Sequence, residues 1–110
     1  MRTVSELWNP KALYISKNGI SADDPIVDGR IGDSDRIIYL RNYLAEFPRA
    51  TVEGYPLKGY FLWSLRDNFE WANGFTKRFK IHHVDFATQV RTPKWSAAWY
   101  CELIRRNAFV

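Results

Sequence analysis

The chain has one cysteine, Cys101, among 110 residues, so it forms no internal disulfide and a secreted disulfide scaffold is excluded. No apolar stretch approaches the ~18 residues expected of a membrane span. Met1-Arg2-Thr3-Val4-Ser5-Glu6 lacks the apolar core of a signal peptide. Internal repeats and low-complexity tracts are absent. At this length the chain is one small domain or part of a larger one. Hydrophobic content of 46% and charged content of 25% are those of an ordinary soluble globular chain. Aromatic content of 16%, with five tryptophans, is high and asks for a core or a ligand surface.

The net charge of +4 is unevenly placed. Residues 1–76 hold nine Lys/Arg against ten Asp/Glu, whereas residues 77–110 hold seven against two. A basic segment with aromatics could serve nucleic acid. A helix with a solvated basic face is the favoured reading, with Arg105 and Arg106 where a helix C-terminus attracts cations.

Periodicity divides the chain. Residues 2–8 read as helix ended by Asn9-Pro10. Ala12-Leu13-Tyr14-Ile15-Ser16, closed by Asn18-Gly19, reads as a strand buried on both faces in a parallel sheet. Residues 19–35 form a long polar loop rich in aspartate. Asp33-Ser34-Asp35 supplies caps for a helix beginning at Arg36. Its apolar face is Ile37, Leu40, Leu44 and Phe47, and Pro48 is expected to stop it. Leu57 to Ser64 reads as a second strand, so the connection is a βαβ crossover. Asn73-Gly74 marks a turn. Residues 81–86 suggest a short further strand, and Thr92-Pro93 reads as the start of a last helix over 93–106. That helix would offer Trp95, Ala98, Trp99 and Leu103 to a core, with Cys101 as a small packing residue. The order is that of an α/β protein.

Within this frame Trp63-Ser64-Leu65-Arg66-Asp67-Asn68-Phe69-Glu70-Trp71 stands out. Indole faces suit the apolar faces of sugars, and carboxylates suit their hydroxyls. Core filling is the plainer explanation of such a cluster taken alone. Further motifs are Leu13-Tyr14-Ile15-Ser16-Lys17-Asn18-Gly19, Asp33-Ser34-Asp35-Arg36-Ile37, Gly59-Tyr60-Phe61-Leu62-Trp63-Ser64-Leu65 and Arg91-Thr92-Pro93-Lys94. In order and spacing these resemble the C-terminal end of a family-one glycoside hydrolase, the β-glucosidase group of (β/α)8 barrels. The resemblance runs from about Pro10 onward and implies a partial TIM barrel. Residues 1–110 would then be a single partial domain containing the last two βα units, strands seven and eight.

The resemblance implies roles for particular residues. Trp63 would stack beneath the non-reducing sugar, Glu70 and Trp71 would hydrogen-bond its hydroxyls, and Phe79 would close the pocket. It also implies that the nucleophilic glutamate of a Thr-Glu-Asn-Gly motif falls where Lys17 stands in Ser16-Lys17-Asn18-Gly19. The acid/base carboxylate would belong to a strand outside this chain, and Asn9-Pro10 does not replace it. Retaining glycosidases need two carboxyl groups about 5–5.5 Å apart, so no intact catalytic residue is expected and little or no hydrolysis. A second departure follows Phe79, at Lys80-Ile81-His82-His83. The adjacent histidines of a strand point to opposite faces and make no metal site.

No cofactor is implied. The expected ligand is a weakly held β-glucoside or monosaccharide. The expected partners are further copies of the chain or the missing barrel portion, because two strands taken from a barrel expose unpaired edges.

Overall fold

The elements follow from local chemistry, and a computed structural model describes residues 1–110. They run α1 (Arg2–Trp8), β1 (Leu13–Asn18), α2 (Ser34–Val52), β2 (Leu57–Leu62), a 3-10 turn (Trp71–Asn73), β3 (His82–Val84), β4 (Arg91–Pro93) and α3 (Trp95–Arg106). β1 and β2 pair in parallel, with Leu13 opposite Leu57, Tyr14 opposite Gly59, Ile15 opposite Tyr60 and Asn18 opposite Leu62. The βα crossover expected from periodicity is therefore present. β3 and β4 form a separate antiparallel ladder from His82↔Pro93 to Val84↔Arg91.

The core lies where α2 and α3 cover one face of the parallel pair. Leu40 and Leu44 from α2, Leu57 from β2 and Ala97 from α3 are buried there. Phe47 meets Tyr60 edge-on, with ring centroids 6.4 Å apart. The opposite face is uncovered, leaving Tyr14 59% exposed and Phe61 58% exposed. β1 is thus not buried on both faces, because only one side of a two-stranded sheet carries helices. Gly59 leaves room on the open face for the Tyr14 ring, which a Cβ there would approach to 2.7 Å and displace. The radius of gyration is 16.0 Å, against about 13 Å for a compact domain near this length. The chain is a slab with one broad open side.

Several boundaries differ from expectation. Pro48 lies inside α2 rather than ending it. Its missing N–H would have bonded the Leu44 carbonyl, but burial of Ala50 keeps the last turn against the core. The helix ends instead where Gly54 adopts φ 85°. Asp33 occupies the N-cap position of α2 without a side-chain cap bond, since its carboxylate is used elsewhere. Thr92 and Pro93 do not open α3. They pair with β3, and Lys94 takes the N-cap position, held by Lys94 N donating to the Ile81 carbonyl at 2.9 Å. α3 accordingly turns Ser96 and Ala97 inward, while Trp95 and Ala98 are exposed. The Trp95 ring lies over Gly32, where a Cβ would sit 3.2 Å away. Cys101 is exposed on α3 rather than packed. No helix is long and apolar enough to cross a membrane.

The basic C-terminal third is not a solvated face throughout. Arg105 and Arg106 pair with Glu102 at the surface, but Lys80 and Lys94 are fully buried and Arg78 partly so. Lys94 and Arg78 belong to a network that ties the long loop to three other segments. Arg36 donates two bonds to Asp24 at 3.1 and 2.8 Å and one to Asp33 at 2.6 Å. Its Nη2 also donates to the Arg78 carbonyl at 2.7 Å. Lys94 Nζ reaches Asp24 at 2.5 Å, and Asp33 accepts from the Ser96 amide and hydroxyl at 2.8 and 2.5 Å. Arg78 donates to Asp67 at 3.0 Å. Three cations face three carboxylates, so the charges are compensated where water is excluded.

Candidate sugar subsite

The C-terminal ends of β1 and β2 meet because a glycine lets them. A Cβ at Gly19 would lie 2.1 Å from the Trp63 carbonyl oxygen, so only glycine admits this approach. The Trp63 amide donates to the Asn18 carbonyl at 2.8 Å. Asn18 is itself held between Tyr60, which donates to Oδ1 at 2.7 Å, and the Tyr39 hydroxyl, which accepts from Nδ2 at 3.2 Å. The Trp63–Ser64 peptide is cis. This junction brings Lys17 beside Trp63, with the ammonium 4.4 Å from the indole centroid, a cation–π distance.

A tight turn returns Glu70 to the same place. The Glu70 amide donates to the Gly74 carbonyl at 2.8 Å, and Gly74 N to the Trp71 carbonyl at 3.1 Å. Gly74 and Trp71 both carry positive φ, 55° and 44°. Glu70 is turned inward and is 7% exposed, while its neighbour Trp71 is turned outward and is 84% exposed. Glu70 Oε1 accepts from Trp63 Nε1 at 3.2 Å and from the Lys80 ammonium. Lys80 has no exposed surface. Its ammonium lies 4.6 Å from the Trp63 ring centroid and 5.2 Å from that of Phe79. Burial pushes the Glu70 carboxyl up. The bonds from Lys80 and Trp63, with the charges of Lys80 and Lys17, outweigh it and hold the group below its ordinary value.

Of the residues singled out in the sequence, Lys17, Trp63, Glu70 and Phe79 therefore gather round one point, and Trp71 stands outside on the turn. Lys80 is the member that sequence reasoning missed. Its signal was a lysine between the apolar residues Phe79 and Ile81, with Glu70 ten residues before it. The histidines are placed apart from this cluster. His82 Nδ1 lies 3.2 Å from the Leu65 carbonyl, and no group of three or more His, Cys, Asp or Glu side chains converges to hold a metal.

The model of glycosyl hydrolase family 1 matches residues 1–109. The chain belongs to glycosyl hydrolase family 1. β-Glucosidase A of Thermotoga maritima is 47% identical over 108 residues, which cover 97% of this chain and 24% of that relative. A 6-phospho-β-galactosidase of Streptococcus equi subsp. zooepidemicus is 46% identical over 103 residues, 94% of this chain and 22% of its own. The solved family 1 β-glucosidase of T. maritima aligns with a TM-score of 0.96 at 45% identity, covering 99% of this chain and 25% of that one. That enzyme has also been solved in complex with castanospermine and with deoxynojirimycin. The chain thus spans about a quarter of the length of the curated family 1 relatives it matches. Its parallel strands and covering helices are a partial α/β unit of the TIM-barrel architecture of its structural relatives.

Proposed function

We propose that this chain is the C-terminal quarter of a β-glucosidase-like barrel, with β1 and β2 as its seventh and eighth strands. In this reading it keeps part of a sugar subsite in Trp63, Glu70 and Phe79, without Trp71, which the turn carries outward, and has little or no hydrolytic activity. Residues 1–110 form one partial domain, and the ligand is a β-glucoside or monosaccharide held weakly. The observation that carries the reading is the ammonium of Lys17 over the Trp63 ring at 4.4 Å. In a retaining glycosidase that neighbourhood holds a carboxylate able to attack an oxocarbenium-like centre. A protonated lysine supplies no such nucleophile and opposes the positive charge that develops there.

Restoration tests this. Lys17→Glu, combined with a fragment carrying the earlier barrel strands, gives hydrolysis of an aryl β-glucoside, and the unsubstituted chain with the same fragment gives none. Hydrolysis by the unsubstituted pair would overturn the inactivity. Absence of hydrolysis in a demonstrably formed Lys17→Glu complex would overturn the assignment of the position. Binding is tested separately by titrating glucose or galactose against tryptophan fluorescence and amide NMR shifts. No response at high millimolar sugar would remove the subsite.

A second reading draws on the open sheet face with Tyr14 and Phe61 exposed. Here the chain works as one portion of an assembled barrel, in contact with the remaining portion or with copies of itself. Prepared as 110 residues, it then self-associates or binds a hydrophobic dye. A monodisperse, dye-negative monomer in light scattering counts against this.

A further inference from the structure

Glu70 offers two carboxylate oxygens, and they are used unequally. Oε1 accepts from both Trp63 Nε1 and the Lys80 ammonium, while Oε2 accepts nothing from the chain. A vicinal pair of sugar hydroxyls is held best when each hydroxyl donates to its own carboxylate oxygen. With Oε1 already saturated, only one such bond remains available. The blocking ammonium is not a surface group that swings away at little cost. Lys80 is fully buried, and its ammonium lies among Trp63, Phe79 and Glu70. The same ammonium sits against the Trp63 ring, the face a sugar would stack on, and Lys17 approaches that ring as well.

We propose that Lys80 is an internal competitor for the sugar subsite, its ammonium occupying the Glu70 oxygen and part of the Trp63 surface that a monosaccharide would otherwise engage. The proposal rests on the reading of Trp63 and Glu70 as a sugar subsite and adds what limits that subsite. A monosaccharide enters fully only when the Lys80–Glu70 contact opens. Lys80 is therefore the residue that sets affinity for neutral sugars here, by withholding one of the two acceptor oxygens. One charge-assisted hydrogen bond is worth roughly tenfold to a hundredfold in affinity.

The probe is glucose, titrated into the full chain and followed by tryptophan fluorescence and by the indole and amide NMR signals. Lys80→Gly and Lys80→Met are compared with the unsubstituted protein. Lys80→Met keeps the unbranched stem if the glycine leaves too large a void. Both variants are expected to bind glucose at least about tenfold more tightly, and adding Glu70→Gln removes that gain. Equal affinity in all three proteins overturns the competition and leaves the subsite reading standing. No glucose response in any of the three folded proteins overturns both. A measurement on the unsubstituted chain needs no variant: saturating glucose shifts or broadens the slowly exchanging Lys80 ammonium signal. An unchanged signal in sugar-saturated protein would refute the proposal.

Discussion

Two clusters of buried charge sit within this chain, one around Arg36 and one around Glu70, and they are built differently. Around Arg36 three cations meet three carboxylates drawn from the long loop, α2, the loop after β2 and the start of α3. Asp33 alone accepts from Arg36, the Ser96 amide and the Ser96 hydroxyl. Around Glu70 one carboxylate meets one buried ammonium, a second and exposed lysine, and an indole N–H. One of its oxygens has no partner in the chain. The first arrangement is compensated in charge and holds segments together, with Arg36 Nε and Asp67 Oδ1 left without hydrogen-bond partners. The second lies beside the half-buried rings of Trp63 and Phe79, which suits an exchange of partners. Neither buried charge nor an unfilled acceptor alone therefore marks a site; what distinguishes the second cluster is a free carboxylate oxygen beside the half-buried Trp63 ring.

The comparison is broken or sharpened most strongly at Arg36. Arg36→Met leaves Asp24 and Asp33 buried without their main partner, which costs about 3–5 kcal/mol. That approaches the whole stability of a small domain. Urea unfolding followed by circular dichroism should show loss of the cooperative transition, and a nearly unchanged midpoint would mean the network is not the clamp described. Gly19→Ala comes next, since the added Cβ would meet the Trp63 carbonyl at 2.1 Å. Forcing the β1 and β2 ends apart costs ~1–3 kcal/mol and also shifts the emission of Trp63, whereas Arg36→Met acts on stability without that selective signal. Ser96→Ala removes one bond to Asp33 while the amide bond remains, for a loss of about 1–2 kcal/mol in the same unfolding measurement.

The Glu70 pair differs in how it responds to pH. Its carboxyl is held below the ordinary value in the folded chain. The stability it contributes is therefore present above the unfolded carboxyl pKa and is lost as pH falls through the lowered folded value. In Lys80→Met the carboxyl loses its ammonium but keeps the Trp63 bond and the charge of Lys17, so its folded pKa rises relative to the unsubstituted chain. The stability gained as pH rises through the carboxylate range is then smaller, a shallower slope. Unfolding midpoints from pH 3 to 7 distinguish the two, and parallel slopes would show that Lys80 does not govern this carboxyl. Smallest of all is Glu102→Gln. Glu102 is held near pKa 2 by Arg105 and Arg106, yet the pair lies at the surface, so its loss should leave the midpoint unmoved within error.

Much of the architecture was legible because it depends on local patterns. The apolar spacing of Leu40 and Leu44 marked the buried face of α2, and a crossover of that length implied the parallel pairing of β1 with β2. The Asn73-Gly74 turn was equally visible, since Gly74 supplies a positive φ. What failed depended on distant partners. Thr92-Pro93 has the chemistry of a helix start, but pairing with His82 and His83 claimed it for a strand. Pro48 has the chemistry of a helix stop, but the burial of Ala50 carried the helix past it. Asp33 looks like a cap and is instead a ligand for Arg36 and Ser96. For the candidate site, the structure brings Lys17, Trp63, Glu70 and Phe79 round one point, a convergence of separate segments that no local pattern encodes. Trp71, adjacent to Glu70 in the chain, was carried to the surface by the turn.

By itself the sequence determined the family and the parallel βαβ core, because motif spacing and periodicity are properties of neighbouring residues. Only the tertiary structure decided which charges are buried and which of them meet. Lys80 and Lys94 look alike as basic residues of one short segment. One closes on Asp24 in a compensated network, and the other reaches Glu70 against the Trp63 ring. Pairing of that kind is set by where four separate segments converge, and electrostatic compensation acts through space rather than along the chain.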